Sequence, residues 1–549
     1  MNVWGKPDPR QRRYLPPVGI IWQSGEPSAP RNSESLLRDD PGQAVLGAED
    51  LCTLANQGGK SADLLLDFGR EIHGGVQIIT GNTLDNKPVT VHVRFGESAG
   101  EAMGAPDNDH AMHDLMVPLS WLGCAEVGNT GFRFVRIEVV GENAWVEIKA
   151  VRAVLLWRDL EYQGDFECND ELLNRIWRTG AYTVHLCMQD FLWDGIKRDR
   201  LVWIGDMHPE ASVVATVFGG HPIVPASLDL IRDATKLPGW MNGISSYSIW
   251  WVLIQDFWYA RNGDMEYLRR QRSYLLGLMD LLRSRVGEDG REALDGMRFL
   301  DWPSWGNEAA IHAGLHALLA MAMDAGARLC DYLGENAAAG QCLETRKRIG
   351  RYVPAVGNSK QANALAVLAG LADATEVNRR VLAVDPYSRL STFYGYYVLE
   401  ARAAAGDYAG CLAVIRKYWG AMLDLGATTF WEDFNLDWTP GAAGIDRLVP
   451  EGMKDIHGDF GDHCYRGFRH SLCHGWSAGP TAWLSEHVLG IRPVQPGFAE
   501  VRVEPNLAGL EWACGAVPTP HGLLRVRHVR TATGGVDSTI DLPHGVRRI

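Results

Sequence analysis

Several features that mark common protein classes are missing from this 549-residue chain. No uninterrupted apolar run approaches the roughly 20 residues of a membrane-spanning helix, and the first residues, MNVWGKPDPRQRRY, lack the apolar stretch of a signal peptide. With 53 basic and 67 acidic side chains, the net charge is −14, whereas nucleic-acid binders usually carry a basic face. We therefore expect a cytoplasmic protein that binds neither a membrane nor nucleic acid.

Motifs for cofactor binding and for serine chemistry are also missing. The sequence has no glycine-rich phosphate loop, no GxGxxG after a strand and no GxSxG turn. Its ten cysteines are scattered, without a CxxC pair or zinc-finger spacing, which is typical of reduced and mostly buried thiols. We expect no cofactor.

Tryptophan, in contrast, is abundant, with twenty residues. Most tryptophans of a protein pack in its core, but an indole also offers a flat apolar face and one N–H donor, which suit the binding of a sugar ring. Four pairs lie beside acidic residues or in connections rich in Gly, Pro and Ser: Trp193 and Trp203, Trp250 and Trp251, Trp302 and Trp305, and Trp431 and Trp438. These pairs favour a carbohydrate-binding site.

The chain is too long for one hydrophobic core, which stops growing at about 250–300 residues. Residues 1–59, rich in Pro, Gly and Ser, are expected to form an irregular arm or a few first strands. Short alternating segments over 60–160 predict a β-sandwich. Helical periodicity over 161–489 predicts an all-α domain, and strands return in a small β-sheet domain over 490–549.

The helical part has the length of a closed ring. At 25–30 residues per helix and loop, residues 161–489 hold about a dozen helices, which can close as an inner and an outer ring, an (α/α)6 toroid. Many of them are rich in Ala and Leu with few charges, as a doubly covered inner ring requires. Helices are predicted over 245–261, 264–286, 338–351, 360–371, 390–405 and 407–419.

The densest polar segment is DGIKRDRLVWIGD, residues 194–206. Its aspartates, Asp194, Asp199 and Asp206, are spaced by five and seven residues, which matches no single helical face and predicts a loop leading into a helix. A solvated charge run is the usual reading of such a segment. However, Trp193 and Trp203 bracket this one, and carboxylates, arginines and indoles together are what a saccharide pocket needs.

Two later segments add candidate residues. In GATTFWEDFN, Glu432 lies within an aromatic and β-branched stretch, which favours a lined cavity over the surface. In HSLCHGWSAGPTAWL, His470 and His474 lie four apart without an HExxH motif, and the order of residues in DIHGDFGDH matches no metal-ligand pattern. We expect no catalytic metal, so the candidate chemistry is a pair of separated carboxylates.

Taken in order, DGIKRDRLVWIGD, TTFWE and CHGWSAGP resemble the catalytic segments of the α-L-rhamnosidases of glycoside hydrolase family 78. DFGREIHGG and VRFGES are similar to that family's β-sandwich before the toroid, and IRPVQPGFAEVRVEP is similar to its closing β domain. The resemblance covers about residues 60–549. It implies that the chain hydrolyses terminal α-L-rhamnose with inversion of configuration.

The resemblance also implies roles for individual residues. Asp199 matches the general acid, where many relatives carry Glu, and Glu432 matches the proposed general base. The remaining matches are Asp194, Arg198 and Asp206 at positions that bind sugar hydroxyls, Trp203 at a pocket wall, His474 near the base and, more loosely, Trp250, Trp302 and Trp305 as substrate contacts. One feature resists the assignment, because Arg198 and Arg200 flank Asp199 and a nearby cation lowers a carboxyl pKa. The general-acid role therefore requires that at least one of these arginines turns away, or that burial and the charges of Asp194 and Asp206 outweigh the effect of the arginines on the pKa.

Two alternatives stay open at this stage. The first is an (α/α)6 glycosidase for another sugar such as a uronide, which would aim Arg or Lys at the substrate carboxylate. The second is a non-catalytic carbohydrate-binding protein. In each case the expected partner is a small-molecule carbohydrate, here a rhamnoside. The sequence leaves open the aglycone, the linkage and the oligomeric state, including a homo-oligomer.

Overall fold

A computed structural model describes residues 7–105 and 113–549. An N-terminal antiparallel sheet domain is followed by a ring of helices and by C-terminal sheets. The predicted fold class, a central (α/α)6 toroid between two β domains, is therefore confirmed.

Eight strands form the N-terminal domain in the order β1-β8-β4-β7-β5-β6, with β2 on β4 and β3 on β8. Their bounds are Gln11–Leu15, Gly19–Gln23, Cys52–Ala55, Asp63–Thr83, Val89–Gly96, Asp114–Leu119, Cys124–Val139 and Trp145–Trp157 for β1 to β8. A short helix, α1 (Ala99–Met103), follows β5 and is capped by Ser98. Within the predicted arm over 1–59, residues 1–6 lie outside the described part, and β1, β2 and β3 belong to the main sheet.

Helices occupy most of the chain from residue 171 to residue 488. They are α2 (Glu171–Cys187), α3 (Met207–Val217), α4 (Ile223–Ala234), α5 (Ser245–Asn262), α6 (Met265–Ser284), α7 (Glu308–Tyr332), α8 (Asn336–Ile349), α9 (Lys360–Leu368), α10 (Ala374–Val377), α11 (Gly395–Ala404), α12 (Tyr408–Val414), α13 (Gly420–Asp424) and α14 (Gly479–Trp483). π-Helical turns lengthen α10 and α14 and join α12 to α13. The result is twelve continuous helical runs in this fully described stretch.

Alternate runs close into an inner ring. Helices α3, α5, α7, α9, α11 and α14 each contact the next, and α14 returns to contact α3. Helices α2, α4, α6, α8, α10 and α12–α13 lie outside them. The inner helices α3, α5 and α7 are buried around most of their circumference, which explains why their sequences are poor in charge.

Side-chain caps define several helix starts. Asp170 accepts hydrogen bonds from the N–H groups of Leu172 and Leu173 at the start of α2, as the Asn-Asp start in the sequence predicts. Asp264 caps α6 and Ser359 caps α9 in the same way. The predicted starts of α6 and α9 therefore lie within one residue of the observed starts.

Helix α7 is the one described helix that is long and apolar enough to cross a membrane by length and composition. Of its most apolar 18-residue window, 78% is buried inside the protein. It packs between α5, α8 and α9. Its apolar character therefore reflects its place in the ring.

The C-terminal part consists of two small sheets. Strands β14 (Trp512–Thr519), β15 (Gly522–Arg530) and β16 (Val536–Asp541) form one, and β12 (Ile491–Pro493), β13 (Glu500–Val503) and β17 (Arg547–Arg548) form the other. The first sheet gains β9 (Asp165–Cys168), which precedes α2 and pairs with β14. The sequence prediction placed these residues in the helical domain, because an isolated four-residue strand gives no sign of a partner over 340 positions away. A two-residue pair, β10 (Ala442–Ala443) and β11 (Lys454–Asp455), lies inside the helical region.

Candidate active site

The loop over residues 194–206 lies between the N-terminal domain and the helical ring, and α3 begins directly after it. The N–H of Leu201 donates to the Asp194 carboxylate at 2.8 Å, and the N–H of Asp194 donates to the Leu201 carbonyl at 3.0 Å, which closes the loop at its base. At its tip Asp199 and Arg200 both have a φ of 54°, a left-handed conformation that is uncommon outside glycine and clusters at functional sites. The predicted loop leading into a helix is confirmed.

The loop borders a cavity of about 210 Å³. Its lining combines carboxylates, two arginines, a histidine and many aromatic rings: Asp194, Arg198, Asp199, Trp203, Asp206, Asn242, Ile244, Tyr247, Met297, Phe299, Trp302, Glu432, Cys464, Tyr465, Arg469, His474 and Trp476. Eight of the ten predicted site residues are in this set.

The two candidate catalytic carboxylates meet at one guanidinium. Arg198 forms a close ion pair with Glu432 through Nη2, and its Nη1 lies 3.4 Å from Oδ1 of Asp199. Arg200 turns away, because its Nη1 donates to the backbone carbonyl of Asn129 at 2.7 Å. One of the two flanking arginines has thus left Asp199, and the other makes its closer contact with Glu432.

His474 lies among three carboxyl groups, those of Glu432, Asp194 and Asp206. Its Nε2 lies 3.2 Å from Glu432, 3.6 Å from Asp194 and 3.8 Å from Asp206. Burial lowers the pKa of His474, but the charge of Glu432 and the contacts with Asp194 and Glu432 outweigh burial and raise the pKa well above its usual value. The imidazole is therefore cationic at neutral pH.

The pKa values of two cavity carboxyl groups, those of Glu432 and Asp206, are shifted in opposite directions. Burial would raise the pKa of Glu432, but the charges of Arg198 and His474 outweigh it and hold the pKa below the usual range. Burial raises the pKa of Asp206 to about 8, against the pull of His474. Two buried carboxyls of one cavity therefore differ in charge at neutral pH, with Glu432 ionised and Asp206 protonated.

Aromatic rings form the walls. Trp203 meets Tyr247 edge to face at 6.1 Å, and the Tyr247 hydroxyl donates to Asp206 at 3.1 Å. On another wall the Trp302 indole N–H donates to the Tyr465 hydroxyl at 2.6 Å, and the Arg198 guanidinium lies 5.1 Å from the centre of the Tyr465 ring. The cavity therefore has apolar faces beside its charged groups, an arrangement suited to a polyol ring with two distinct sides.

Two predicted substrate contacts lie elsewhere. Trp250 is fully buried in the ring, stacked on Tyr397 at 4.9 Å, so it packs behind the cavity without lining it. Trp305 is 52% exposed and packs on the outer side of Trp302 at 5.8 Å. Proximity in sequence to an acidic loop did not reveal which tryptophans face inward, because that depends on the tilt of each helix and turn.

The structure also brings in residues that the sequence analysis did not single out. Tyr465 and Arg469 line the cavity and follow the segment DIHGDFGDH in the sequence. That segment was considered only as a possible set of metal ligands. Tyr247 lies in the first turn of α5, three residues before Trp250. Its position could have been noticed in the sequence, because an aromatic residue at the start of a predicted helix can face a site formed by the preceding loop.

The protonated state of Asp206 predicts a pH-dependent loss of stability. Its pKa is about 8 in the folded chain against an ordinary 3.8, so the folded state keeps a proton that the unfolded state releases between these values. This contribution to stability is complete below about pH 4 and is lost as the pH rises through about 8. Asp206→Asn should therefore gain melting temperature relative to the parent chain as the pH rises across this window.

Thermal unfolding of both chains at several pH values measures this effect. Asp437→Asn, on an exposed turn, is the matched control for the same change of side chain outside the cavity. A pH-independent difference for Asp206→Asn would mean that Asp206 is already ionised at neutral pH.

Two family profiles match the chain. The profile of the bacterial α-L-rhamnosidase 6-hairpin glycosidase domain matches residues 161–383, and that of the bacterial α-L-rhamnosidase C-terminal domain matches residues 490–548. Together they cover the loop of Asp199 and the C-terminal sheets.

Individual relatives agree with these profiles. An α-L-rhamnosidase of Alteromonas sp. (strain LOR) is 28% identical over 129 residues, which are 23% of this chain and 12% of that protein. The GH78 family rhamnosidase of Bacillus sp. GL1 superimposes with a TM-score of 0.73 at 22% identity, over 94% of this chain and 56% of that one. The rhamnosidase of Klebsiella oxytoca, solved with rhamnose bound, gives a TM-score of 0.68 at 19% identity, over 86% and 95%. The chain thus spans about half the length of the Bacillus protein and a smaller part of the Alteromonas one.

Proposed function

Because the chain belongs to the bacterial α-L-rhamnosidase family, we propose that it hydrolyses the bond between a terminal α-L-rhamnose and its aglycone with inversion at the anomeric carbon. The observation that carries the proposal is that Asp199 and Glu432, far apart in sequence, border one cavity and contact one guanidinium. An inverting hydrolase needs such a pair of carboxyl groups, about 6.5–9.5 Å apart with room for a water molecule.

The proposed step assigns one proton transfer to each carboxyl group. Asp199 gives its proton to the glycosidic oxygen as the bond from that oxygen to C1 breaks. Glu432 takes a proton from water as the water oxygen bonds to C1 from the opposite face. Glu432 suits the base role because it is ionised, and its negative charge beside the sugar ring also stabilises the positive charge that develops there.

The other cavity residues are proposed to hold the sugar. Asp194 and Asp206 face the cavity and are placed to bond ring hydroxyls, with protonated Asp206 able to donate as well as accept. Trp203 and Trp302 supply flat apolar walls for the ring and its methyl group. The volume is below the range of about 300–1,000 Å³ typical of drug-sized ligands, which favours a single sugar unit.

A uronide is a weaker candidate substrate, although Arg469 also lines the cavity, because the three cations of the loop over 194–206 have other partners. Arg198 is paired with Glu432, and Arg200 bonds Asn129. Lys197 is buried outside the cavity lining. A substrate carboxylate would also meet Glu432, whose negative charge is maintained at neutral pH. Rhamnose, a neutral deoxyhexose, avoids this repulsion.

A panel of p-nitrophenyl glycosides tests the proposal. We expect turnover of the α-L-rhamnoside at least about 100-fold faster than that of the β-D-glucuronide or the α-L-fucoside, a ratio that needs about 3 kcal/mol of discrimination. Calorimetric titration with L-rhamnose accompanies the panel. Binding of L-rhamnose without turnover of any glycoside would favour the carbohydrate-binding alternative and would contradict the proposal, as would a preference for the glucuronide.

A further inference from the structure

One cation of the charged run faces away from the cavity. Lys197 lies two residues before Asp199, and its side chain is only 1% exposed. Its ammonium group lies 3.2 Å from the Glu97 carboxylate and 3.0 Å from that of Glu101. It also donates to the backbone carbonyls of Phe468 and His470, each at 2.7 Å. A group that would be read from sequence as a solvated lysine is thus surrounded by four acceptors.

These acceptors come from two other parts of the molecule. Glu97 and Glu101 belong to the N-terminal domain, at the end of β5 and in α1. The two carbonyls belong to the segment 468–472, which lies behind Glu432. Lys197 therefore fastens three elements at one point: the loop of Asp199, the segment behind Glu432 and the N-terminal domain.

The segment 468–472 is in turn tied to the proposed base. The N–H of Ser471 donates to the Glu432 carboxylate at 3.2 Å, and the N–H of Glu432 donates to the Ser471 carbonyl at 2.9 Å. Glu97 supports the same segment, because its carboxylate accepts the N–H of Leu472 at 2.6 Å. The distance from Lys197 to the base is thus spanned by short contacts between buried groups.

The loop of Asp199 also rests directly on the N-terminal domain. The Lys197 carbonyl accepts a hydrogen bond from Nε2 of His113 at 3.1 Å, and a Cβ atom added at Gly131 of β7 would come within 3.0 Å of the Lys197 backbone nitrogen. Gly131 is therefore small where the two backbones approach closely. The backbone of the Asp199 loop therefore packs directly against the N-terminal domain.

A metal ion is not needed to explain this cluster. Glu97, Glu101 and His457 have ligand atoms close enough to share a metal. However, His457 already uses both ring nitrogens, one with the Ser98 hydroxyl at 2.8 Å and one with the His470 carbonyl at 2.8 Å. The Lys197 ammonium supplies the positive charge that the carboxylates require, and a second cation beside it would be repelled.

Stability alone is a poor reason for such an arrangement. A buried ion pair often contributes little net stability relative to apolar residues of the same volume, because both charges lose their hydration. What it fixes is geometry, since an ammonium group with four acceptors has few alternative positions. We propose that Lys197 is a positioning residue, which holds Asp199 at the glycosidic oxygen by fastening its loop to segment 468–472 and to Glu97 and Glu101 of the N-terminal domain. This inference rests on the proposed function and makes the N-terminal domain part of the catalytic assembly.

Replacement of Lys197 by methionine tests the inference, because Met keeps the length of the side chain and removes the charge. Two substrates are compared, p-nitrophenyl α-L-rhamnoside, whose leaving group departs with little protonation, and methyl α-L-rhamnoside, which needs the acid. A displaced acid should lower kcat for the methyl rhamnoside by about 100-fold and for the aryl rhamnoside by about 3-fold, with KM nearly unchanged.

Lys360→Met is the matched control. Lys360 is also 1% exposed, and its ammonium also donates to two backbone carbonyls, those of Asp385 and Ser388, but it lies outside the loop and the cavity. It should lose stability without changing the ratio of the two rates. An equal fall for both substrates in Lys197→Met, or none, would overturn the inference, since loss of folded enzyme lowers both rates by one factor.

A milder variant covers the case in which Lys197→Met does not fold. Glu101→Gln leaves the ammonium with Glu97 and the two carbonyls, so it should fold and shift the ratio in the same direction by about 10-fold. An unchanged ratio in folded Glu101→Gln would also overturn the inference. Failure of the proposed function has a different result, because the parent chain would then hydrolyse neither rhamnoside.

Discussion

Asp199→Asn should lower kcat for methyl α-L-rhamnoside by about 10³–10⁴-fold, near the upper limit of what a general acid contributes. The amide cannot give a proton to the departing oxygen, while the shape of the side chain is kept. Asparagine also tolerates the left-handed backbone at this position, where φ is 54°, so the fold should be preserved.

The leaving group distinguishes a lost acid from a damaged cavity. With p-nitrophenyl α-L-rhamnoside the decrease in kcat caused by Asp199→Asn should be at least about 10-fold smaller, because p-nitrophenolate departs with little protonation. Asp85→Asn is the control, since Asp85 has a φ of 53° but lies in a turn of the N-terminal domain. Parent-like turnover of the methyl rhamnoside by Asp199→Asn would remove Asp199 from the mechanism.

Glu432→Gln should lower kcat for every rhamnoside by about 10³–10⁴-fold, whatever the leaving group, because each turnover needs an activated water. The buried carboxylate is held ionised by Arg198 and His474, and the neutral amide cannot accept the proton. In Glu432→Gln, kcat for the methyl rhamnoside and kcat for the aryl rhamnoside should therefore be lowered by the same factor.

Azide provides a second readout for the same variant. It is a nucleophile that needs no base, so it should restore turnover of the aryl rhamnoside in Glu432→Gln and give a β-linked rhamnosyl azide. An α-linked product, or a covalent rhamnosyl group trapped on Glu432 of the parent chain, would contradict the proposed base role and point to a retaining reaction.

Much of this site could be predicted because its chemistry is concentrated in short segments. Asp194, Asp199 and Asp206 lie in one loop, and the three motifs that resemble rhamnosidases include Glu432 and His474. The family prediction is confirmed by the two matching profiles. The helical ring was predictable in the same way, because its Ala- and Leu-rich helices carry a period of 3.6 residues and clear caps.

What the sequence did not reveal depends on partners that are distant in the chain. Lys197 stands in a charged run, and nothing near it announces Glu97 and Glu101, about 100 positions earlier, as its partners. Arg198 was expected to bind a sugar hydroxyl, but in the structure its guanidinium forms ion pairs with Glu432 and Asp199. Trp250 and Trp305 illustrate the same limit, since composition favours a tryptophan near a sugar site but does not fix the direction of its ring.

The stereochemistry of hydrolysis tests the central claim most directly, because it reports whether water attacks from the face opposite the leaving group. The proton NMR spectrum of the sugar is recorded during the first minutes of turnover of p-nitrophenyl α-L-rhamnoside, before the free sugar mutarotates. With Asp199 on one side of C1 and Glu432 with its water on the other, β-L-rhamnose should appear first and the α anomer only later. First appearance of α-L-rhamnose would contradict the account.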